Sequence, residues 1–560
     1  MAQELVSLRV DELPLLHDII SKLGIKSSID DVILKHRNWS GLSVGSIVEL
    51  WLCYILSECD HRLQNVEEWS ESRLPLLSVL SDNDRISSLD FSDDKLGLIL
   101  EKLGDSAVWG SIEQKINEHC LSVYRLSDAS ELATFRLDAA PMQSHGSVEA
   151  GGLLQYGYHK HHADLPQFKV KLCTLDNELN HFAYPVTHLT VSGNTSDDEL
   201  YVPVIKQSKS VLSGIKGYEQ GNLYVGDSKM GAIGTRAYVH HGSDYYLCPL
   251  SLVQLSQKDR QTLIKAADKS CYKEVFRQEG EDKVKIATGF ETIQALDYQL
   301  DGVDLKWSER RLFVHSTNYA KSQQQAFDNR LTKIIAQLEE LPVRKQGKTN
   351  LESLEEYQII IDKLLKDNEL EGLLEVKVVY SETTKSLRAY GDKPARTEVT
   401  KTFSVTTSKN EAAIEERKSF LGWQVYATNA PQDLLSFEKC VLKYRHQSNI
   451  EHSFDNLRNK VAHLVPIYLH KDERIKGLVN LLFLALKACA VLEYKMAEAL
   501  SINDEQLCNI YEGNPTRGSK RPSAKRILKA FDGVSIALVF VDYKIQIAIM
   551  TNLEQVKRIN

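Results

Sequence analysis

Three acidic residues far apart in the chain raise the chemical question. Asp138 ends the strand-like run Ala133-Thr-Phe-Arg-Leu-Asp138. Asp227 ends Asn222-Leu-Tyr-Val-Gly-Asp227. Glu451 lies in Tyr444-Arg-His-Gln-Ser-Asn-Ile-Glu-His-Ser-Phe-Asp-Asn-Leu-Arg458, 224 residues after Asp227. Carboxylates brought together from separate elements can hold two divalent cations. Hard Mg²⁺ takes one or two carboxylates plus water and substrate phosphate oxygens. Two such ions activate an attacking hydroxyl and stabilise a leaving oxygen in phosphoryl transfer. Each residue also has a plainer reading. An Asp at a strand end is commonly a turn residue or helix cap, and a lone Glu on a helix is commonly at the surface.

The segment around Glu451 has no Pro or Gly and reads as one helix. Tyr444, Gln447, Glu451 and Arg458 would then share an arc of about 60° at 3.6 residues per turn. That face offers an aromatic hydroxyl, an amide, a carboxylate and a guanidinium, suited to a metal ion and a polyanion together. Ile450, Phe454 and Leu457 can pack beneath it.

The elements that must position these groups read in order. Residues 1 to about 125 form a helical module, with apolar residues at helical spacing over Leu13 to Leu23, Ser43 to Glu58 and Lys95 to Leu103. It reads as a packing or dimerisation domain, or as one that binds DNA ends. Residues 130 to 250 alternate as α/β. Strands fall near Ala133 to Asp138, Phe168 to Asp176, Phe182 to Val191, Asn222 to Asp227 and Tyr245 to Leu250. Ser196-Asp-Asp-Glu199 suits a capping box opening a helix to about Leu212. Asp197 and Asp198 read as helix-cap residues before they read as a fourth acidic ligand. Residues 251 to 420 break the pattern with alternating strands and long polar helices, as an inserted domain would. Residues 421 to 500 return to a strand, the Glu451 helix and a buried helix near 473–500. Residues 501 to 560 hold a basic turn region and one final strand, about Ile536 to Met550.

Length and composition bound the class. At 560 residues, three or four domains are expected, and 42% hydrophobic with 26% charged is ordinary for a globular protein. The N-terminus lacks the basic and apolar regions of a signal peptide. The run Leu478 to Tyr494 carries Asn480, Lys487 and Glu493, so it reads as a buried helix and no membrane is expected. Nine cysteines without C-x-x-C pairs argue against structural zinc and fit a reducing cytoplasm. The net charge of -8 gives no help to a nucleic-acid binder, although charge distribution matters more than the sum. Basic clusters stand at Arg344-Lys345-Gln-Gly-Lys348 and at Arg517-Gly-Ser-Lys-Arg521 with Lys525-Arg526. Each reads first as a solvated face and second as a DNA contact. His159, His161 and His162 are too close in sequence for convergent ligation and read as a polar or DNA-facing loop. Trp307 reads as a core residue before it reads as a base-stacking one.

The ordered segments Leu137-Asp138, Gln155-Tyr-Gly-Tyr-His-Lys160, Asp164-Leu-Pro-Gln167, Ser192-Gly-Asn-Thr-Ser-Asp197, Val225-Gly-Asp227, Trp307-Ser-Glu-Arg-Arg311, Ala427-Thr-Asn429 and Tyr444 through Arg458 carry a resemblance. From about residue 10 to about 535 the chain resembles bacterial insertion-sequence transposases of the DDE type. These have a Tyr-x2-Arg-x3-Glu-x6-Lys signature, and the closer likeness is to the subgroup with an extra helical N-terminal domain. The resemblance implies an α/β RNase H-like catalytic core, a β-rich insertion domain and an α-helical N-terminal domain. It implies that Asp138, Asp227 and Glu451 are catalytic and bind two Mg²⁺ ions, with Mn²⁺ as a substitute. It implies DNA contact by Tyr444, by Gln447 at the signature Arg position, and by Arg458 at the Lys position. Gln447 adds no charge there, whereas Arg458 keeps charge and adds a bidentate fork. The implied partners are terminal inverted repeats and target DNA, bound by a homodimer in a cytoplasmic, nucleoid-associated setting. Two alternatives keep the same core: a metal-dependent DNA nuclease without strand transfer, and a non-catalytic DNA-binding or scaffold protein.

Overall fold

A computed structural model describes residues 3–124, 132–157, 164–177, 182–279, 282–343, 351–388, 396–460, 464–541 and 544–551. The histidines at 159, 161 and 162 and the basic cluster 344–348 lie outside these residues. The chain divides into two compact units. The first gathers Met1–Gln254, Ile293–Arg310 and Ala427–Asn560, and the second Leu255–Thr292 and Arg311–Tyr426.

The first unit opens with β1 (Gln3–Arg9), which pairs antiparallel with Ser535–Val541 near the other end of the chain. The final strand expected over 536–550 is a hairpin instead, Ser535–Val541 against Lys544–Thr551. Helices fill the stretch from Leu13 to Tyr124. Val44–Glu58 is buried from Val44 to Leu56, because its sequence is apolar on all faces. Asp472–Ile502 is among the described residues the one helix long and apolar enough to cross a membrane, and it is almost wholly buried in this unit. Gly477 lets it cross the Asp93–Leu103 helix closely: a Cβ there would stand 2.0 Å from the Leu100 carbonyl oxygen. Its buried Lys487 is satisfied by Asn117 Oδ1 at 2.7 Å, the Tyr184 hydroxyl at 3.2 Å and the Val186 carbonyl at 3.2 Å. A charge held this way specifies one docking of the helix.

The α/β part of this unit contains β2 (Thr134–Gln143), β3 (Gln167–Asn177), β4 (Phe182–Ser192), β5 (Leu223–Gly226) and β6 (Tyr245–Pro249). Their order is β4-β3-β2-β5-β6. The first three are antiparallel neighbours, and β2, β5 and β6 run parallel. Parallel neighbours need crossovers, here the helices Tyr201–Val211 and Ile233–His241. The capping box expected at Ser196 is absent. Ser196 makes no side-chain cap bond and its hydroxyl turns to Asp198, so a short 3₁₀ turn, Asp197–Leu200, precedes the helix. Asp197 is held by Lys169 Nζ at 2.8 Å.

The second unit has its own core, in which Phe327, Leu331, Ile334 and Leu338 of Thr317–Glu339 meet Tyr357 and Ile361 of Leu354–Asp367. Its strand pair Leu374–Leu387 and Arg396–Lys409 is antiparallel and largely exposed.

Candidate active site

The parallel ladder places the two aspartates. Leu137 of β2 pairs with Gly226 of β5, so Asp138 and Asp227 follow side by side at the same level. Adjacent strands lie about 4.8 Å apart, and the carboxyl ends of parallel strands are where α/β sheets present ligand groups. Gly226 is required at the end of β5. A Cβ there would meet the Tyr201 ring at 2.8 Å and Met230 Sδ at 2.7 Å. The space left by that hydrogen lets the Tyr201 hydroxyl donate to Asp227 Oδ1 at 2.6 Å. Asp227 also accepts from the Lys229 backbone N–H at 2.8 Å, which fixes its rotamer.

Asp138 is held by the Ala139 N–H at 2.8 Å. Burial pushes its carboxyl up to about 6. Lys171 and the Ala139 bond pull it down, while the nearby charges of Asp227 and Glu451 add to the rise. Lys171 sits on β3 opposite Ala139 and is 1% exposed. Its ammonium stands 3.3 Å above the Tyr201 ring, and burial lowers it to about 8 against the attraction of Asp138, Asp227 and Asp197. Neither Lys171 nor Tyr201 was singled out from the sequence. The strand QFKVKLCTLDN alternates, and Lys171 shares its face with Lys169, so the sequence carries no signal that Lys171 is buried.

The helix carrying Glu451 differs from the single element expected. The chain forms Phe437–Arg445, breaks at His446 and Gln447, forms Ser448–Asp455, and widens into a π turn over Asn456–Lys460. Tyr444, Gln447, Glu451 and Arg458 therefore do not share one continuous helical face. Tyr444 lies in the last turn of the first helix, Gln447 occupies the N-cap position of the second, Glu451 lies exposed in its first turn, and Arg458 belongs to the π turn. A contact from β2 meets the chain at the break. Arg136, two residues before Asp138, pairs with Asp176 of β3 at 2.5 Å and donates to the Lys443 carbonyl at 2.6 Å. A guanidinium that bonds one of the last carbonyls favours a helix ending there. Lys443 Nζ reaches back to Thr134 Oγ1 at 3.0 Å. The strand that carries Asp138 thus grips the end of the helix that precedes Glu451.

Arg458 returns to the same strand, donating to the Pro141 carbonyl at 3.0 Å with Phe454 beneath its guanidinium. Burial lowers its pKa, and Asp138 works against that shift. Its Nε is buried with no partner.

The other sequence segments support this centre. Gln155 and Gln167 exchange backbone hydrogen bonds at 3.0 Å, and Gln167 Nε2 donates to the Gly193 carbonyl at 3.2 Å. Trp307 is buried, donating to the Tyr246 hydroxyl at 2.9 Å and stacking on His240. Glu309 accepts from Arg236 and from Tyr246, and Arg310 donates to the carbonyls of Ala430 and Leu435. Asn429 bridges Tyr246 N–H and the Asp244 carbonyl, both at 2.9 Å. These residues anchor the approach to the Glu451 helix from its N-terminal side.

Among the described residues no group of three or more His, Cys, Asp or Glu side chains is gathered closely enough to hold a metal ion. The donor chemistry nevertheless fits one. All three groups are carboxylates, as a hard divalent cation prefers, and like charges help raise Asp138.

Comparison with known proteins places the chain. The family model described as a transposase DDE domain matches residues 134–487, more than half of the 560. Among solved structures, the chain is similar to piggyBac transposase in a cryo-EM synaptic complex with hairpin DNA. That match has 10% identity and a TM-score of 0.26, covering 51% of this chain and 60% of that one. No curated protein matches the sequence. From Thr134 to Lys487, through both strand aspartates and the helix of Glu451, the chain belongs to the DDE transposase domain family.

Proposed function

We propose that the protein is the transposase of an insertion sequence, of the Tyr-Arg-Glu-Lys type with an RNase H-like core and an extra helical N-terminal domain. It binds the terminal inverted repeats of its element, cuts the DNA ends and joins the freed 3′-hydroxyl to target DNA. The observation that carries this is the Leu137–Gly226 pairing, the last of the parallel ladder, after which Asp138 and Asp227 follow abreast. The electrostatic reach of Glu451 to Asp138 brings the third carboxylate into the same field.

Asp138, Asp227 and Glu451 would hold two Mg²⁺ ions, or Mn²⁺ in their place, which supply an activated hydroxyl and charge stabilisation at the leaving oxygen. The chain's own groups do the rest. Tyr201 and the Lys229 N–H hold Asp227 in one orientation. Lys171 limits repulsion between the aspartates while the site is empty of phosphate. Arg458 presents guanidinium donors where an end phosphate would lie, as a planar fork suits phosphate oxygens. Tyr444 precedes the break before Glu451 and Gln447 lies in it, and both contact the end DNA. Two ends must meet, so the working form is a homodimer in contact with the nucleoid.

The test is cleavage of a duplex carrying the inverted repeats that flank the gene, with Mg²⁺ present. Asp138→Ala is expected to lower cleavage and joining by about 10³-fold or more, the scale of a lost electrostatic group at a reacting centre. Retention of full metal-dependent cleavage by that variant would sink the assignment. Cleavage without joined products would leave the nuclease alternative.

A further inference from the structure

The C-terminal segment builds a second site. A cavity of about 740 Å³ lies in the first unit between the 510–529 region and the helices bearing His452 and Glu493. Arg517, Arg521, Lys525 and Arg526 line it. All four are exposed, and among the described residues none makes an ion pair. The two carboxylates in the wall are already engaged. Glu512 is bound by Lys529, and Glu493 accepts from the Ala524 N–H at 2.7 Å and meets His452 Nε2 at 3.2 Å. Tyr511 stands between two guanidiniums, with Arg517 4.2 Å and Arg526 4.3 Å from its ring centre. Such stacking holds two planar forks in place before any ligand arrives.

Converging cations without partners, in a chain whose net charge is -8, mark a place built for an anion. The cavity is roomy for a single phosphate and open to solvent along an exposed rim. Its inner wall includes His452, the residue after Glu451 on the same helix.

We propose that this cavity binds the backbone phosphates of a DNA strand and leads that strand to the helix of Glu451. Arg517 and Arg526 take adjacent phosphodiesters, and Arg521 and Lys525 extend the track. The choice of DNA over a free polyphosphate rests on the transposase function proposed above.

The test uses the full chain, a labelled duplex of arbitrary sequence and a salt titration. Each phosphate contact contributes a slope of about 0.9 in log K against log salt. R517A/R526A is expected to weaken binding about 10- to 50-fold near 0.1 M salt and to reduce the slope by about 2. The pair K363A/K366A removes the same charge from the exposed face of a helix of the second unit and should leave the slope unchanged. An unchanged slope in the cavity variant, or an equal change in both pairs, overturns the proposal. Pyrophosphate that binds the wild type with the same dependence on Arg517 and Arg526, while the duplex does not, overturns it too. If the double variant fails to fold, R521A alone should lower the slope by about 1. The two proposals fail separately. Full cleavage by Asp138→Ala would sink the transposase and leave this DNA track standing, whereas an unaltered salt slope sinks only the track.

Discussion

Asp138 and Asp227 sit on neighbouring strands of a sheet, whereas Glu451 rides on an eight-residue helix between a break and a π turn. The strand pair is fixed by backbone register and by partners that leave little freedom: Tyr201, Lys171 and the Ala139 and Lys229 N–H groups. Glu451 is exposed, and a cavity of about 250 Å³ lies beneath its helix, lined by Asn449, Ser453 and Leu486. The contrast teaches that two of the carboxylates are set by the fold, and the third by how the chain is launched from Arg136 and received at Arg458. The sheet provides the electrostatic tension, and the helix provides the group that joins it.

The sharpest way to break this comparison is to neutralise each arm in turn. Asp138→Asn and Glu451→Gln should each lower cleavage by about 10³-fold, since both remove a charged donor from the reacting centre. Their stabilities should diverge. Glu451 is exposed, so Glu451→Gln should change unfolding free energy by no more than about 0.5 kcal/mol. Equal stability changes in the two variants, measured by denaturant titration, would erase the distinction between buried and delivered arms.

The launch point should carry the largest stability effect. Arg136 and Asp176 form a buried pair, at 2% and 6% exposure. Arg136→Met leaves Asp176 charged and enclosed and frees the Lys443 carbonyl. Breaking a buried pair from one side costs about 3–5 kcal/mol. Cleavage should fall as well, because the helix end that sets the position of Glu451 is released. A variant with normal stability, or one that cleaves at the wild-type rate, would show that Arg136 does not aim the helix.

Asp138 itself should destabilise the apoprotein. Its folded pKa of about 6 lies above the ordinary value of 3.8. The folded state therefore binds the proton more tightly than the unfolded state, and stability is lost as pH rises from about 4 through 6. The difference amounts to about 3 kcal/mol once both states are ionised. Asp138→Asn should match the wild type below pH 4, relative to its own baseline, and gain on it steadily up to pH 7. Saturating Mg²⁺ should narrow the gap by stabilising the wild type alone. A flat difference across that range would show that the carboxyl is not under tension.

Much of this centre was legible in the chain because strand ends and apolar runs announce themselves. The runs ending at Asp138 and Asp227 become β2 and β5, although β2 continues five residues past the aspartate. Trp307 is buried, in line with the core reading. The division of the Glu451 helix is not written in its local sequence. Residues 444–458 hold no helix breaker, and the break falls beside the Lys443 carbonyl that Arg136 binds from 307 residues away. The capping box at Ser196 is also absent, because the Ser196 hydroxyl turns to Asp198. Lys171 and Tyr201 escaped notice because their roles come from cross-strand and cross-helix neighbours. The subdivision of the last strand into a hairpin depends on pairing with β1 at the opposite end of the chain.

The smallest expected effect concerns the fixed arm alone. The Tyr201 hydroxyl donates to Asp227 Oδ1 at 2.6 Å and faces the Asp227 backbone N–H at 3.3 Å. Tyr201→Phe keeps the ring that Lys171 packs against and the fit over Gly226, removing only the oxygen. A hydrogen bond to a charged group contributes about 1.5–3 kcal/mol, but Asp227 keeps the Lys229 N–H, so much of its orientation survives. Cleavage should fall about 10-fold, with the Mg²⁺ concentration for half-maximal rate rising by a similar factor. Restoring the rate with excess Mg²⁺ would place Tyr201 as a residue that positions Asp227 for the metal. A loss that excess metal leaves untouched would instead make the phenol part of the reacting centre and move the fixed arm beyond two aspartates.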